Sequence, residues 1–393
     1  MEVDGSAIDQ LLGAAVEDGV LAGVCAMLVD RDGILHEATA GNARADTMFR
    51  NASMTKAPAT VGALQLVEEG RLEFEATVES ILPEFGQLQV LEGFDGDTPQ
   101  LRPPASKATI RQLMTHTAGC GYFFGNENLY RYARLTGLPG PMTGLKESLM
   151  GPLARDPGTQ WEYGLNTDWL GLVVEAVSGQ TLDVYLADRV YGPLGMSDTT
   201  FSPSAEQRAR LMPLTTRTAD GGLAPTELEL AADWEWAAAG HGSYGTIRDY
   251  ARFIRSMLRG GELDGVRVLS DATVELAFAD QLNGVPMPDG IKSAEPSLVN
   301  DIPALPFPQG WGLAFHLVHA DLPDLRSAGT ADWSGIFNTY YWIDRATGIG
   351  AVLMTQVLPF FDARIIELLI GFEAAIYAQV RGPAPRPDAA GPA

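Results

Sequence analysis

Ser53 and Lys56 stand three residues apart in the stretch Phe-Arg-Asn-Ala-Ser-Met-Thr-Lys-Ala-Pro that begins at Phe49, and together they could do covalent chemistry. A hydroxyl is a weak nucleophile at neutral pH and needs a base beside it; a lysine can serve where burial or nearby positive charge favours the neutral amine. Residues three apart share a helix face, so a helix through this stretch brings the two side chains within hydrogen-bond reach. The spacing alone is weak, because Ser-x-x-Lys arises about once by chance in a chain of this length and ordinary composition. The bland alternative is a capping serine beside a surface lysine.

Other chemistries find less support. The five histidines (His36, His116, His241, His316, His319) form no His-Glu-x-x-His and no ligand spacing with a cysteine, so no metal site is expected. His316 and His319 fall where a strand is expected and would point to opposite faces. Cys25 and Cys120 make neither a disulfide framework nor a Cys-x-x-Cys, and are expected to be reduced. Gly-x-Ser-x-Gly is absent, which argues against an α/β-hydrolase. No cofactor is implied.

The elements around the pair follow from periodicity and punctuation. Ala57, Val61, Ala63, Leu64 and Leu66 make an apolar helix that Gly70 ends. Pro58 lacks the amide that the Met54 carbonyl would need in a helix starting at Ser53, so a local distortion is expected there. Before it, residues 7–19 read as an amphipathic helix, and Gly23–Val29 and Ile34–Ala40 as a hairpin about Asp30-Arg31-Asp32-Gly33. From Leu72 to about Asp280 the pattern is helix and loop, with candidate helices at 110–115, 145–153, 168–178, 182–190, 247–259 and 271–279. Residues 281–310 carry six prolines and read as one long loop.

Strands resume at Trp311–His319, Trp333–Asp344 and Gly348–Val357, and Phe361–Val380 is a closing helix. Residues 381–393 form a low-complexity tail expected to be disordered. The expected architecture is α+β, an antiparallel sheet flanked by helices. Residues 1–70 and 311–380 build a discontinuous sheet domain, and residues 71–310 a mainly helical insert with long loops. The Ser53 helix would lie where the two meet, a favoured place for a cleft.

Composition narrows the partners. The 393 residues are 46% hydrophobic and 20% charged, enough for a large core, and no run of about 18 apolar residues exists to span a membrane. The N-terminus has neither a basic nor an apolar leader segment, so a cytoplasmic protein is expected. A net charge of −23 disfavours nucleic acid and anionic membranes. A small-molecule partner is therefore expected; the oligomeric state stays open.

Two further elements carry a resemblance. Trp161-Glu162-Tyr163-Gly164-Leu165-Asn166-Thr167-Asp168-Trp169-Leu170-Gly171 precedes a helix, and Trp333-Ser334-Gly335 lies on a strand near the end of the chain. With Ser53-x-x-Lys56 they resemble, in order, the three active-site elements of penicillin-binding proteins and class C β-lactamases. Leu113 to Gly119, Gly195 to Thr199 and Gly260 to Ser270 also resemble stretches of that superfamily. The resemblance spans residues 7–380 and is nearest to the family VIII carboxylesterases. It implies a class C β-lactamase-like fold, Ser53 as nucleophile, and Lys56 and Tyr163 sharing the proton. It also implies an oxyanion hole from the amides of Ser53 and Ile336, with Trp333, Ser334 and Gly335 along the substrate. Tyr122 and Phe123, with Phe124, Tyr130, Tyr132, Trp234 and Trp236, are candidates for an acyl or alcohol pocket, or else ordinary packing.

Two departures bear on substrate. The class C pattern Tyr-x-Asn reads Tyr163-Gly164-Leu165, with Asn166 one place late. Trp333 stands where β-lactamases carry a basic residue for the substrate carboxylate, so an uncharged ester fits better than a penicillin. The expected function is a carboxylesterase cleaving short-chain acyl esters through acyl-Ser53. Rivals are a β-lactamase, a D-amino-acid peptidase or amidase, an acyltransferase to a non-water alcohol and, from another class, a non-catalytic penicillin-binding-like sensor.

Overall fold

The computed structural model describes residues 3–226 and 228–380, so the 381–393 tail lies outside the described residues. Gly23–Asp30 (β1) and Ile34–Gly41 (β2) form the expected hairpin. The other strands of their sheet come from the far end of the chain: Gln309–Trp311 (β3), His316–Val318 (β4), Ala331–Gly335 (β5), Thr339–Asp344 (β6) and Ile349–Met354 (β7). The order is β3-β4-β5-β6-β7-β1-β2, antiparallel throughout. Pairing of Cys25 with Met354 and of Asp30 with Ile349 joins the two ends of the chain in mid-sheet.

Both faces of this sheet are covered, which is why β1 is a continuous apolar run rather than an alternating one. Val24, Ala26 and Leu28 face one core cluster with Trp342, Ala351 and Leu353. That cluster is closed by Ser6–Glu17 (α1), through Ile8, Leu12 and Ala15, and by Ala363–Val380 (α5), through Ile365, Leu368, Phe372 and Ile376. Cys25, Met27 and Val29 face the larger core with Ile343 and Val352. On that side Ile247–Leu258 (α4) lies against the strands, and the Ile254 side chain fills the space that a Cβ at Gly350 would enter at 2.3 Å.

Lys56–Glu68 (α2) is buried along one unbroken run from Lys56 to Leu66 and packs on Asn166–Ser178 (α3). A helix apolar on all sides belongs in a core, where each fully buried large aliphatic side chain contributes roughly 1.5–3 kcal/mol. The larger core contains Leu64 and Leu66 of α2 together with Leu170 and Val173 of α3, so the Ser53 segment rests on a packed layer.

Several expectations are corrected. Trp311–His319 is not one strand: Ala314 at φ 86° turns the chain, and β3 pairs back on β4. Trp333–Asp344 likewise divides into β5 and β6, because Asn338 at φ 59° closes a tight turn whose amide bonds to the Gly335 carbonyl at 3.0 Å. Residues 145–153 hold only a short 3-10 turn, Lys146–Leu149, before Gly151 and Pro152. The stretch read as helix and loop also contains a hairpin, Val90–Asp95 with Thr98–Arg102, turned at Gly96 (φ 57°). Residues 281–310 have no helix or strand before Gln309 and two isolated bridges, Ile291 to Ile302 and Val299 to Phe360, in keeping with their loop reading. No helix among the described residues is long and apolar enough to cross a membrane.

Candidate active site

Ser53 sits in a 3-10 turn, Ala52–Thr55, and the α-helix begins only at Lys56. Pro58 explains the offset. It falls in the first turn of α2, where its missing amide is one of the donors a helix leaves unused anyway. The Met54 carbonyl that Pro58 cannot serve accepts instead from the Tyr250 hydroxyl of α4 at 2.9 Å. Ala52, immediately before Ser53, is held at φ 46°. Left-handed backbone at a buried alanine is strained, and strain of this kind concentrates at functional sites.

Ser53 is 9% exposed and Lys56 only 1%. The Lys56 Nζ lies 3.1 Å from Ser53 Oγ, 3.1 Å from the Tyr122 hydroxyl and 2.7 Å from the Gly240 carbonyl. It also lies over the Tyr163 ring, 4.7 Å from the centroid, and 5.1 Å from that of Tyr122. Behind it, the Asp168 carboxylate accepts from the Tyr122 hydroxyl at 3.3 Å and from the Gly240 amide at 2.8 Å. Burial, reinforced by Asp168, pushes the Tyr122 phenol well above its ordinary range, so the hydroxyl keeps its proton.

Tyr163 arrives from the loop before α3. Its hydroxyl accepts from the Trp333 indole Nε1 at 3.1 Å, and the two rings meet edge to face at 5.0 Å. Trp333 packs in turn against Trp311 at 4.7 Å, and Trp161 stacks on Tyr163 at 5.9 Å. Ser334 and Ile336 are half-buried next to it. Gly335 is the point where β5 presses on the Ala52–Thr55 turn: a Cβ there would meet Thr339 Oγ1 at 2.4 Å, the Asn51 carbonyl at 2.6 Å and the Ala52 Cβ at 3.2 Å. Only glycine permits that approach, and it brings the Ile336 segment beside Ser53.

The structure therefore brings Ser53, Lys56, Tyr163 and the Trp333–Gly335 strand into one place. Tyr122, 4% exposed, lines the same apolar cavity as Phe123 and also points its hydroxyl at Lys56 and Asp168. Phe123 packs with Leu91, Leu129 and Ala154 and lines an apolar cavity of about 530 Å³, open mouth included. Phe124 stacks on Tyr122, while Trp234 and Trp236 line a separate cavity with Met142 and Phe201. Asn166, one place late for the class C pattern, is fully buried and spends its amide protons on His116 Nδ1, the Cys120 carbonyl and the Glu162 carbonyl. Burial, with Lys56 nearby, holds His116 neutral and well below the usual histidine range, and its ring braces Trp311 at 5.0 Å. His316 bonds to Asp332 and Gln309, and no cluster of metal-ligating side chains occurs among the described residues.

The long loop supplies a wall that composition left anonymous. Val285, Met287 and Ile291 pack against the cluster of Trp161, Leu282 and Trp311, which Tyr163 and Trp333 also join. The loop is pinned to the Tyr122–Tyr130 segment by the Ala294 amide on the Phe124 carbonyl at 2.8 Å and by Tyr130 on Glu295 at 3.0 Å.

Residues 8–374 match the model of one family, beta-lactamase. The chain belongs to the beta-lactamase family. It is 32% identical over 359 residues to the monacolin J acid methylbutanoyltransferase of Aspergillus terreus, covering 85% of this chain and 83% of that protein. With the lovastatin esterase of Penicillium rubens it shares 30% over 403 residues, covering 94% and 98%. Among solved structures, simvastatin synthase (LovD) from Aspergillus terreus superposes with a TM-score of 0.83 at 27% identity, covering 96% of this chain and 100% of that one. EstCE1, a hydrolase with promiscuous acyltransferase activity, shares the fold at a TM-score of 0.74 and 20% identity, over 95% and 98% of the two chains. The protein is thus an enzyme of the β-lactamase-like serine hydrolase superfamily, with acyltransferases and esterases among its relatives.

Proposed function

We propose that the protein is a carboxylesterase that cleaves short-chain acyl esters through an acyl-Ser53 intermediate. The observation that carries the proposal is the 3.1 Å contact between Lys56 Nζ and Ser53 Oγ in a site whose third element offers Trp333 rather than a cation. Ser53 Oγ attacks the ester carbonyl and its proton passes to Lys56. The carbonyl oxygen becomes an oxyanion held by the amides of Ser53 and Ile336, donors of a kind typically worth about 2.7–4 kcal/mol each when removed. Collapse of the tetrahedral intermediate breaks the bond to the alcohol, which leaves with a proton delivered by Lys56 and Tyr163 acting together. Water, activated by the same pair, then releases the acid.

A second reading is supported by the relatives. Relatives named a methylbutanoyltransferase and a lovastatin esterase are distinguished by what takes the acyl group. On that reading the acceptor in this chain is an alcohol that enters beside Trp333 and the Met287 wall. A β-lactam is less favoured, because no cation stands at position 333 to draw its carboxylate.

A substrate panel tests both readings. The protein and Ser53→Ala are mixed with p-nitrophenyl acetate, butyrate and octanoate, nitrocefin and a D-alanyl amide, with and without a primary alcohol. The expected result is ester turnover that vanishes in Ser53→Ala and exceeds nitrocefin in kcat/KM. Nitrocefin exceeding every ester would overturn the substrate class. An ester product formed with the alcohol at the expense of free acid would favour the transferase reading.

A further inference from the structure

Three groups meet the Lys56 Nζ, and one buried carboxylate holds two of them. Ser53 Oγ is the reacting partner at 3.1 Å; the others are the Tyr122 hydroxyl at 3.1 Å and the Gly240 carbonyl at 2.7 Å. Asp168, fully buried, places its Oδ2 on the Tyr122 hydroxyl and its Oδ1 on the Gly240 amide. Gly240 has no side chain for a reason that points the same way. A Cβ there would sit 2.5 Å from Asp168 Oδ2 and 2.7 Å from Oδ1, so the carboxylate occupies the space a side chain would need.

The hydrogen-bond directions are determined. A Tyr122 hydroxyl that gives its proton to Asp168 turns a lone pair to Lys56, and the Gly240 carbonyl can only accept. A neutral lysine has two N–H groups and one lone pair. With the two N–H groups taken by Tyr122 and Gly240, the lone pair is left for the Ser53 proton, the orientation a base needs. After proton transfer the ammonium has all three donors used, with the Asp168 charge one phenol away.

We propose that Asp168 is a positioning residue of the reaction, acting through Tyr122 and Gly240 to aim the Lys56 amine at Ser53. It rests on the acyl-Ser53 reading. Among the described residues Asp168 is the carboxylate in contact with this cluster; the other titratable groups facing it are Tyr122 and Tyr163 from the loops, His116 from the turn after residues 110–114, Cys120, and His241 beside Gly240, whose Nδ1 is 3.7 Å from Asp168 Oδ1. Burial holds His241 below its ordinary range and the Cys120 thiol above its own, so both are neutral here and do not replace the carboxylate.

The test uses Asp168→Asn, Tyr122→Phe and the double variant of the full chain, with p-nitrophenyl butyrate. Asp168→Asn should lower kcat about 10- to 100-fold, part of the 10²–10⁴ typical of a positioned base, with KM within about threefold. Tyr122→Phe keeps the ring stacked on Phe124 and cuts the same relay, so the double variant should be no more than about threefold worse than the poorer single. A folded Asp168→Asn with kcat within about threefold of wild type, a loss that falls on KM instead of kcat, or losses that multiply in the double variant would overturn the proposal. If Asp168→Asn does not fold, Tyr122→Phe decides: an unchanged kcat would overturn it. Mass spectrometry of the wild type separates the two readings. A Ser53 adduct together with an unchanged kcat in Asp168→Asn defeats this proposal alone, while no Ser53 adduct defeats the acyl-enzyme reading and this proposal with it.

Discussion

Gly335→Ala is the perturbation whose size can be worked out from the contacts. The new methyl would stand 2.4 Å from Thr339 Oγ1, 2.6 Å from the Asn51 carbonyl and 3.2 Å from the Ala52 Cβ. The threonine can rotate, but the Asn51 carbonyl is backbone and already receives the Met54 amide at 3.1 Å. Restoring an ordinary separation of about 3.4 Å asks the strand and the nucleophile turn to part by about 0.8 Å. That movement carries the Ile336 amide away from the oxyanion by a comparable distance, enough to lose most of one donor. Removal of one such donor costs about 10²–10³ in kcat, and overpacking costs about 1–3 kcal/mol of stability. The expected outcome is a folded protein with a lowered melting temperature, acylation slowed about 100-fold or more, and KM changed much less. Stopped-flow acylation with p-nitrophenyl butyrate, beside circular dichroism melts, reads both. A folded Gly335→Ala with acylation within about threefold of wild type would refute the placement of the oxyanion hole.

Other predictions rest on single contacts. Trp333→Lys returns a cation to the third element and removes the indole N–H on Tyr163; nitrocefin kcat/KM should rise relative to p-nitrophenyl butyrate by about tenfold or more, and an unchanged ratio would sink the argument from charge. Tyr250→Phe deletes the donor to the buried Met54 carbonyl and should cost about 1–3 kcal/mol in urea denaturation; a loss below about 0.5 kcal/mol would mean that the Pro58 distortion needs no such partner. Burial pushes the Asp249 carboxyl up to about 6 from 3.8. A folded-state value above the unfolded one means that the native state binds the extra proton, so stability falls as pH rises from about 4 to about 6, by about 3 kcal/mol in all. Asp249→Asn should flatten that slope; parallel stability curves for the two proteins over pH 4 to 7 would contradict it.

The candidate constellation that the structure brings together was largely legible because chemistry needs residue types at short spacing. Ser53 and Lys56 are neighbours in sequence, and Tyr163 and Trp333–Gly335 each carry a local pattern. Fold class was legible for a similar reason: strands at the two chain ends, apolar enough to be buried on both faces, had to share a sheet. What was not legible depends on distance and on backbone. Tyr122, Asp168 and Gly240 meet across 46 and 72 residues, with no periodicity to link them. The signal available was Asp168 itself, a carboxylate beside Trp169, Leu170, Val173 and Val174 on a buried helix face, although an acidic residue in a first turn is ordinarily explained by the helix dipole. The strand boundaries failed at Ala314 and Asn338, two residues in left-handed conformations that alanine rarely and asparagine only sometimes adopts.

The most direct measurement is mass spectrometry of the protein quenched during turnover of a slow ester such as p-nitrophenyl octanoate, followed by peptide mapping. The account predicts an acyl mass increment on the peptide that carries Ser53, absent from Ser53→Ala and accumulating in Tyr163→Phe if deacylation slows more than acylation. An increment on any other residue, or ester turnover that persists in Ser53→Ala without one, would contradict it.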